Sequence, residues 1–250
     1  IICTGGVSRR LSVPGFELTA THSDAWGLTS VPPSMLVIGG GATGAQVASI
    51  FNAFGSRVQL FQAGRCILPS EDEDVSAAVA AAFRESGIVV RENFGDIESF
   101  EKTPSGVRMI FAKDGLRDSA EAALAVVAVG WVANIAGLQL ATAGVETNQR
   151  GFVGVDAYLR TSAPHIFAAG DITGRLLLVP EAIHDGFVAA TNAVGGATMT
   201  LGNRVSPIGS FTDPEYAQVG LTEAKAREKH DIVTAIVRFD STTRTIIDGR

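Results

Sequence analysis

Apolar residues fall in short runs separated by glycine-bearing turns. Met35 to Ile38 is one such run, and its length predicts a buried strand. It passes into Gly39-Gly40-Gly41-Ala42-Thr43-Gly44, a tight turn. Ala45 to Phe54 then spaces its apolar positions as a helix does and stops at Gly55, and Arg57 to Phe61 reads as a second strand. Strand, glycine turn, helix, strand is a βαβ unit, which implies a parallel sheet. The texture continues beyond it. Glu71-Asp72-Glu73-Asp74 opens a helix predicted over Val75 to Ser86, with carboxylates placed where they complement the helix dipole. Ile88 to Arg91 is a third strand. Ile97 to Phe111 alternates around Pro104-Ser105-Gly106 as a β-hairpin, and Ala122 to Val129 is a continuous apolar strand ending at Gly130.

The flanks are less regular. Ile1 to Cys3 reads as a strand end, and Ser30-Val31-Pro32-Pro33-Ser34 as a linker. Ile166 to Ala169 is a short strand running into Gly170-Asp171. Glu181 to Val194 is helical and closes at Gly195-Gly196. From Val205 the pattern is β-rich around one short helix, Glu223 to Glu228. The sequence opens without Met, on Ile1-Ile2-Cys3-Thr4-Gly5-Gly6, as if in mid-strand, and a truncated segment is expected.

Composition narrows the partners. Hydrophobic residues make up 46% of the 250, enough for real cores, and charged residues only 18%, too few for disorder. A net charge of −6 with scattered Lys and Arg gives no basis for a nucleic-acid partner. The most apolar run, Ala122 to Val132, falls short of the ~20 residues of a membrane span. Cys3 and Cys66 form neither a CxxC nor a metal spacing, so they read as packing or surface thiols, which fits a cytoplasmic protein.

Gly39, Gly41 and Gly44 form G-x-G-x-x-G between a strand and a helix, the context in which that pattern binds a dinucleotide. The first glycine allows the sharp turn, the second lets backbone approach a pyrophosphate, and the third lets helix and strand pack closely. The unpaired N–H groups of the helix start, around Ala42 and Thr43, face the phosphates. The bland reading is a structural glycine turn. The ribose-reading position, about 20 residues on, is Gln62. Its amide can bond either cofactor and repels neither. Arg65 nearby is either a phosphate partner or a surface charge, so NAD against NADP stays open.

A second signal is Thr161-Ser162-Ala163-Pro164-His165-Ile166-Phe167-Ala168-Ala169-Gly170-Asp171. One Asp after a strand is by itself an Asp in a turn. The whole string resembles the T-x-x-x-x-I-[FY]-A-x-G-D segment of the flavoprotein pyridine nucleotide-disulfide oxidoreductases, which include dihydrolipoamide dehydrogenase, glutathione reductase and mercuric reductase. Other stretches carry the same resemblance, in order. Cys3-Thr4-Gly5 with Pro14-Gly15 is similar to A-T-G…P-G. Gly130-Trp131-Val132-Ala133-Asn134 stands where the family has G-R-x-P-N. Leu178-Val179-Pro180-Glu181-Ala182 is similar to L-[TV]-P-x-A. Phe211 to Glu215 with Val219 to Glu223 is similar to F-T-x-P-E…V-G-x-T-E.

The resemblance implies an α/β fold in which a Rossmann-like NAD(P)-binding domain, 29–129, is inserted in a partial FAD-binding domain, 1–28 and 130–203. The start of an α+β interface domain, 204–250, follows. It implies FAD and NAD(P)H as cofactors, a homodimer in the intact protein, and a small-molecule or disulfide substrate. Asp171 would hold the FAD ribityl chain after Gly170, and Thr4 and Gly5 would turn beside FAD. The helix beginning near Leu178, Val179 and Pro180 would point its positive end at the flavin, where reduction builds negative charge. Gly130 would line the nicotinamide cofactor.

Departures accompany the matches. Trp131 and Ala133 replace Arg and Pro, so that loop should be shaped differently. Gln46 stands where relatives place a Glu, and Ala42 where some place an aromatic gate. The family's FAD glycine turn, its C-x₄-C pair and its terminal His-Glu pair are absent from these 250 residues, and His22, His165, His184 and His230 do not fit the acid-base role. Catalytic residues are therefore not assignable. Two functions follow: part of an FAD-dependent NAD(P)H oxidoreductase, or a dinucleotide-binding module without turnover.

Overall fold

A computed structural model describes residues 1–202, 204–238, 243 and 247. Of the expected domain at 204–250, residues 239–242, 244–246 and 248–250 lie outside the described residues, as does Asn203 at the end of the preceding one. The chain divides into two compact units, Ile1–Val219 and Gly220–Arg250.

In the first unit, β1 (Gly6–Ser8), β2 (Ala20–Thr21) and α1 (His22–Trp26) lead to the glycine-turn unit, β3 (Ser34–Ile38), α2 (Ala42–Ala53) and β4 (Arg57–Gln62). Then come α3 (Glu73–Glu85), β5 (Val89–Glu92), β6 (Asp96–Thr103), β7 (Gly106–Lys113), β8 (Leu116–Ala122), β9 (Leu124–Val127) and β10 (Trp131–Ala133). The long helix α4 (Val179–Gly195) and the hairpin of β11 (Ile208–Ser210) and β12 (Tyr216–Gln218) complete it. The second unit contains α5 (Glu223–Arg227), whose N-cap Thr222 accepts a hydrogen bond from the Lys225 N–H at 3.3 Å.

The expected parallel sheet is present, with strand order β2-β9-β3-β4-β5. Its centre explains the continuous apolar run of β3. Met35 and Val37 pack with Ala45, Ala48, Phe51 and Phe83 on the helical side. Leu36 and Ile38 point the other way, into Phe61, Phe94, Met109 and Phe111, under the antiparallel sheet β6-β7-β8. A strand covered on both faces has no polar side to show. Phe61, Phe94 and Phe111 meet edge to face, with centroids 5.3 to 5.6 Å apart. A second core, around Phe152, Val153, Ala168 and Ile172, lies by β10, and Leu159, Phe167, Val188 and Ala189 pack α4.

The structure corrects several details. Helix α2 begins at Ala42 rather than Ala45, because Ala42, Thr43 and Gly44 already form its first turn. The run from Ala122 to Val129 is two elements. Ala122 ends β8 opposite Val107, and Leu124–Val127 enters the parallel sheet, with the Ala123 N–H between them donating to Ser34 Oγ at 3.0 Å. Strand β8 was not expected at all. Ile166 to Ala169 makes only isolated bridges, Phe167 with Arg160 and Ala168 with Ile2. Ala20–Thr21, from the segment 1–28, pairs with Val126 and Val127 and so lies in the parallel sheet.

Candidate dinucleotide site

The C-terminal ends of β3, β4 and β9 border a cleft of about 750 Å³. Gly39, Gly41, Ala42, Thr43, Gln62 and Gly130 all line it. Open parallel sheets bind ligands at this edge, where the connections leave in opposite directions.

The three glycines of the turn differ in what demands them. Gly39 has φ +107°, and a methyl group on it would stand 2.3 Å from the Ala128 carbonyl oxygen. A methyl on Gly44 would stand 1.7 Å from the Gly39 carbonyl oxygen. Both are required by the protein's own packing. Gly41 is not: its φ is −73°, and an added methyl would meet no atom within 4 Å. The space before Gly41 is open cleft, which suits the close approach of a phosphate to the backbone.

Hydrogen bonds fix the turn. The Gly39 N–H donates to the Phe61 carbonyl at 2.8 Å, and the Leu68 N–H to the Gly40 carbonyl at 2.6 Å. Gln62 Oε1 accepts the Gly40 N–H at 3.0 Å. Gln62 thus braces the turn as well as standing at the ribose-reading position. No side chain caps the N-terminus of α2, so its first-turn N–H groups, which lack partners inside the helix, face the cleft. Arg65 pairs with Glu73 at 2.7 Å, both largely exposed. Gln46 Nε2 donates to the Ala42 carbonyl at 3.2 Å, within its own helix.

The remaining expected residues gather in a second cluster. Thr4 Oγ1 donates to the Asn134 carbonyl at 2.7 Å, Asn134 Nδ2 to the Thr4 carbonyl at 3.1 Å, and the Asn134 N–H to the Gly5 carbonyl at 3.0 Å. This clasp joins the two segments that flank the parallel-sheet region. Gly6 adjoins Asp171, with the site of an added Gly6 methyl 3.7 Å from Asp171 Cβ. Gly170 lies against Ala182 in the first turn of α4, whose N-cap is Leu178 and whose first residues are Val179 and Pro180. No hydrogen bond among the described residues reaches the Asp171 carboxylate, and partial burial pushes its pKa up. The carboxylate and the uncapped α4 N-terminus are thus available to a polyol and an electron-rich ring respectively.

Two residues were missed by sequence reasoning. Asp185 is buried on α4, pairs with Arg175 at 3.0 Å and accepts the Gly170 N–H at 3.4 Å, so it positions the Gly170-Asp171 turn. Its signal was a polar residue one turn after Glu181 on a face shared with Val188, Ala189 and Asn192. His22 is buried and lines the cleft. Burial pulls its pKa down, partly opposed by Asp24. The Thr21-x-x-Asp24 capping box, formed in the structure, marked the helix that carries it.

The parallel sheet with a glycine turn at its cleft, and the Gly170-Asp171 turn beside the Thr4–Asn134 clasp, define an α/β fold of the dinucleotide-binding class. The chain belongs to the pyridine nucleotide-disulphide oxidoreductase family, whose model matches residues 1–186, and residues 206–250 match the family's dimerisation domain. It is 34% identical over 249 residues to a dihydrolipoyl dehydrogenase of Mycobacterium tuberculosis, covering 98% of this chain and 53% of that protein. It is 33% identical over 250 residues to a glutathione reductase of Burkholderia cepacia, covering 100% of this chain and 55% of the relative. A mercuric reductase of Bacillus cereus is 32% identical over 99% of this chain and 40% of its own length. Among solved structures, the HOCl-induced flavoprotein disulfide reductase RclA from Escherichia coli superposes with a TM-score of 0.87 at 27% identity, over 98% of this chain and 56% of that one. The chain therefore spans about half the length of these relatives.

Proposed function

We propose that this chain is the part of an FAD-dependent NAD(P)H oxidoreductase where electrons come in. The observation that carries it is Gly41. Its glycine is unexplained by the protein's own packing and is explained by a ligand at the uncapped start of α2. When bound, NAD(P)H supplies a hydride and FAD accepts it. In this chain, Gly41, Ala42 and Thr43 would hold the pyrophosphate of the nicotinamide cofactor, Gln62 its adenosine ribose, and Gly130 would flank the nicotinamide end. Thr4, Gly5, Gly170 and Asp171 would hold the flavin's polyol chain, with the positive end of α4 toward its ring. Gln62 is neutral and gives no reason to reject a 2′-phosphate, so both NADH and NADPH are accepted.

The match of 206–250 to a dimerisation domain supports a homodimer of the intact protein. The names of the relatives support a disulfide or metal-ion acceptor. Two free thiols, Cys3 and Cys66, fit a reducing cytoplasm. Anaerobic mixing of the intact protein with NADH or NADPH tests the proposal: flavin absorbance bleaches if the reading holds. Bound nucleotide with an unchanged oxidised flavin spectrum favours the binding module without turnover.

A further inference from the structure

We propose that Trp131, braced by His22, forms the aromatic wall that recognises the nicotinamide end of the dinucleotide. The inference rests on the cleft being the NAD(P) site and adds to it the residue that reads the pyridine ring.

Topology places the two ends of the ligand. The glycine turn stands on β3, with β4 and Gln62 on one side and β9 on the other. With the adenosine ribose at Gln62 and the pyrophosphate at the start of α2, the second nucleoside lies over the end of β9. Gly130 and Trp131 come just past the end of β9, after Ala128 and Val129, and both line the cleft there with Leu177. Ala42, also in the lining, presents only a methyl group.

The indole is held in place rather than free to swing. Its backbone is paired in the β1–β10 ladder opposite Ser8. Its ring meets His22 edge to face, with centroids 4.3 Å apart and planes at 61°. His22 in turn has both nitrogens engaged, Nδ1 with Ser8 Oγ at 2.9 Å and Nε2 with Ser23 Oγ at 3.1 Å. These two contacts fix the imidazole, so His22 acts here as a positioning residue. A fixed aromatic face stacks on a planar ring with little ordering to undergo on binding. The oxidised pyridine ring is cationic, and Trp is the best side chain for a cation over a ring face.

The test uses the 250-residue chain carrying Trp26→Phe, which leaves Trp131 as its single indole. NAD⁺ and ADP-ribose, which lacks the pyridine ring, are titrated by calorimetry and by Trp fluorescence. The expected result is binding of both, with fluorescence quenched by NAD⁺ alone. Trp131→Leu should weaken NAD⁺ about five- to tenfold, leave ADP-ribose unchanged, and be partly rescued by Trp131→Phe. Equal quenching by ADP-ribose, or unchanged NAD⁺ affinity in Trp131→Leu with ADP-ribose still bound, overturns the role of Trp131 and leaves the cleft assignment standing. If neither nucleotide binds the parent chain, the cleft assignment falls and this inference with it.

Discussion

Gln62 does two jobs with one amide. Its Oε1 accepts the Gly40 N–H, and its neutrality leaves the ribose pocket tolerant of a 2′-phosphate. Glutamate at 62 would keep the acceptor and add a like charge to that phosphate. Gln62→Glu should therefore leave NADH affinity within about twofold and weaken NADPH about tenfold or more, since juxtaposed like charges cost several kcal/mol. Equal losses for both nucleotides in competitive titrations would contradict this. Asp171 yields a prediction in pH. Its carboxyl pKa is raised by burial, so the folded chain holds that proton more tightly than the unfolded chain. The favourable contribution is complete below the usual carboxylate range and is lost as pH rises through the raised value. At about pH 7 the ionised, unpartnered group is a liability in this chain. Asp171→Asn should raise the melting temperature there and change it little near pH 3, the acid end of that linkage. A stabilisation of equal size at both pH values would show that burial of the charge is not its source.

At the level of elements, α4 and the Gly170 turn act as one piece through Asp185. Removing that carboxylate strands the Arg175 guanidinium and the Gly170 N–H. Asp185→Ala should cost about 2 kcal/mol in denaturant unfolding, below the full value for a buried pair because Arg175 is a third exposed. A change under about 0.5 kcal/mol, the range of ordinary surface substitutions, would remove Asp185 from the positioning of Asp171. The same contrast between buried and exposed faces decides what could be read from the chain. The central strands announced themselves because both of their faces are covered. Strand β8 did not, because Leu116 to Ser119 are exposed and only Ala120 and Ala122 are buried, leaving no alternation to detect. The glycine turn was legible as a turn between strand and helix, yet Ala42 to Gly44 read as loop because Gly44 weakens the helical pattern it joins. His22 and Trp131 lie 109 positions apart and meet only through the β1–β10 pairing, a long-range contact that spacing does not reveal.

For the molecule as a whole, the division at Val219 has a direct readout. Limited proteolysis should cut first at or beyond Gly220 and leave a product extending through Val219. A first cut inside the parallel sheet would contradict the division into two compact units. The central claim, that the cleft over the parallel sheet is a pyridine-nucleotide site, meets its sharpest test in the glycine turn. A methyl at Gly41 meets open space, whereas one at Gly44 runs into the Gly39 carbonyl. Calorimetric titration of NADH and NADPH into Gly41→Ala, alongside thermal melts of Gly41→Ala and Gly44→Ala, separates ligand contact from packing. The account predicts that Gly41→Ala melts within about 2 °C of the parent, as surface substitutions do, yet binds both nucleotides at least about tenfold more weakly, because the backbone can no longer approach the pyrophosphate. Gly44→Ala should instead lose about 1–3 kcal/mol of stability or more. A Gly41→Ala chain that binds NADH and NADPH as tightly as the parent would contradict it.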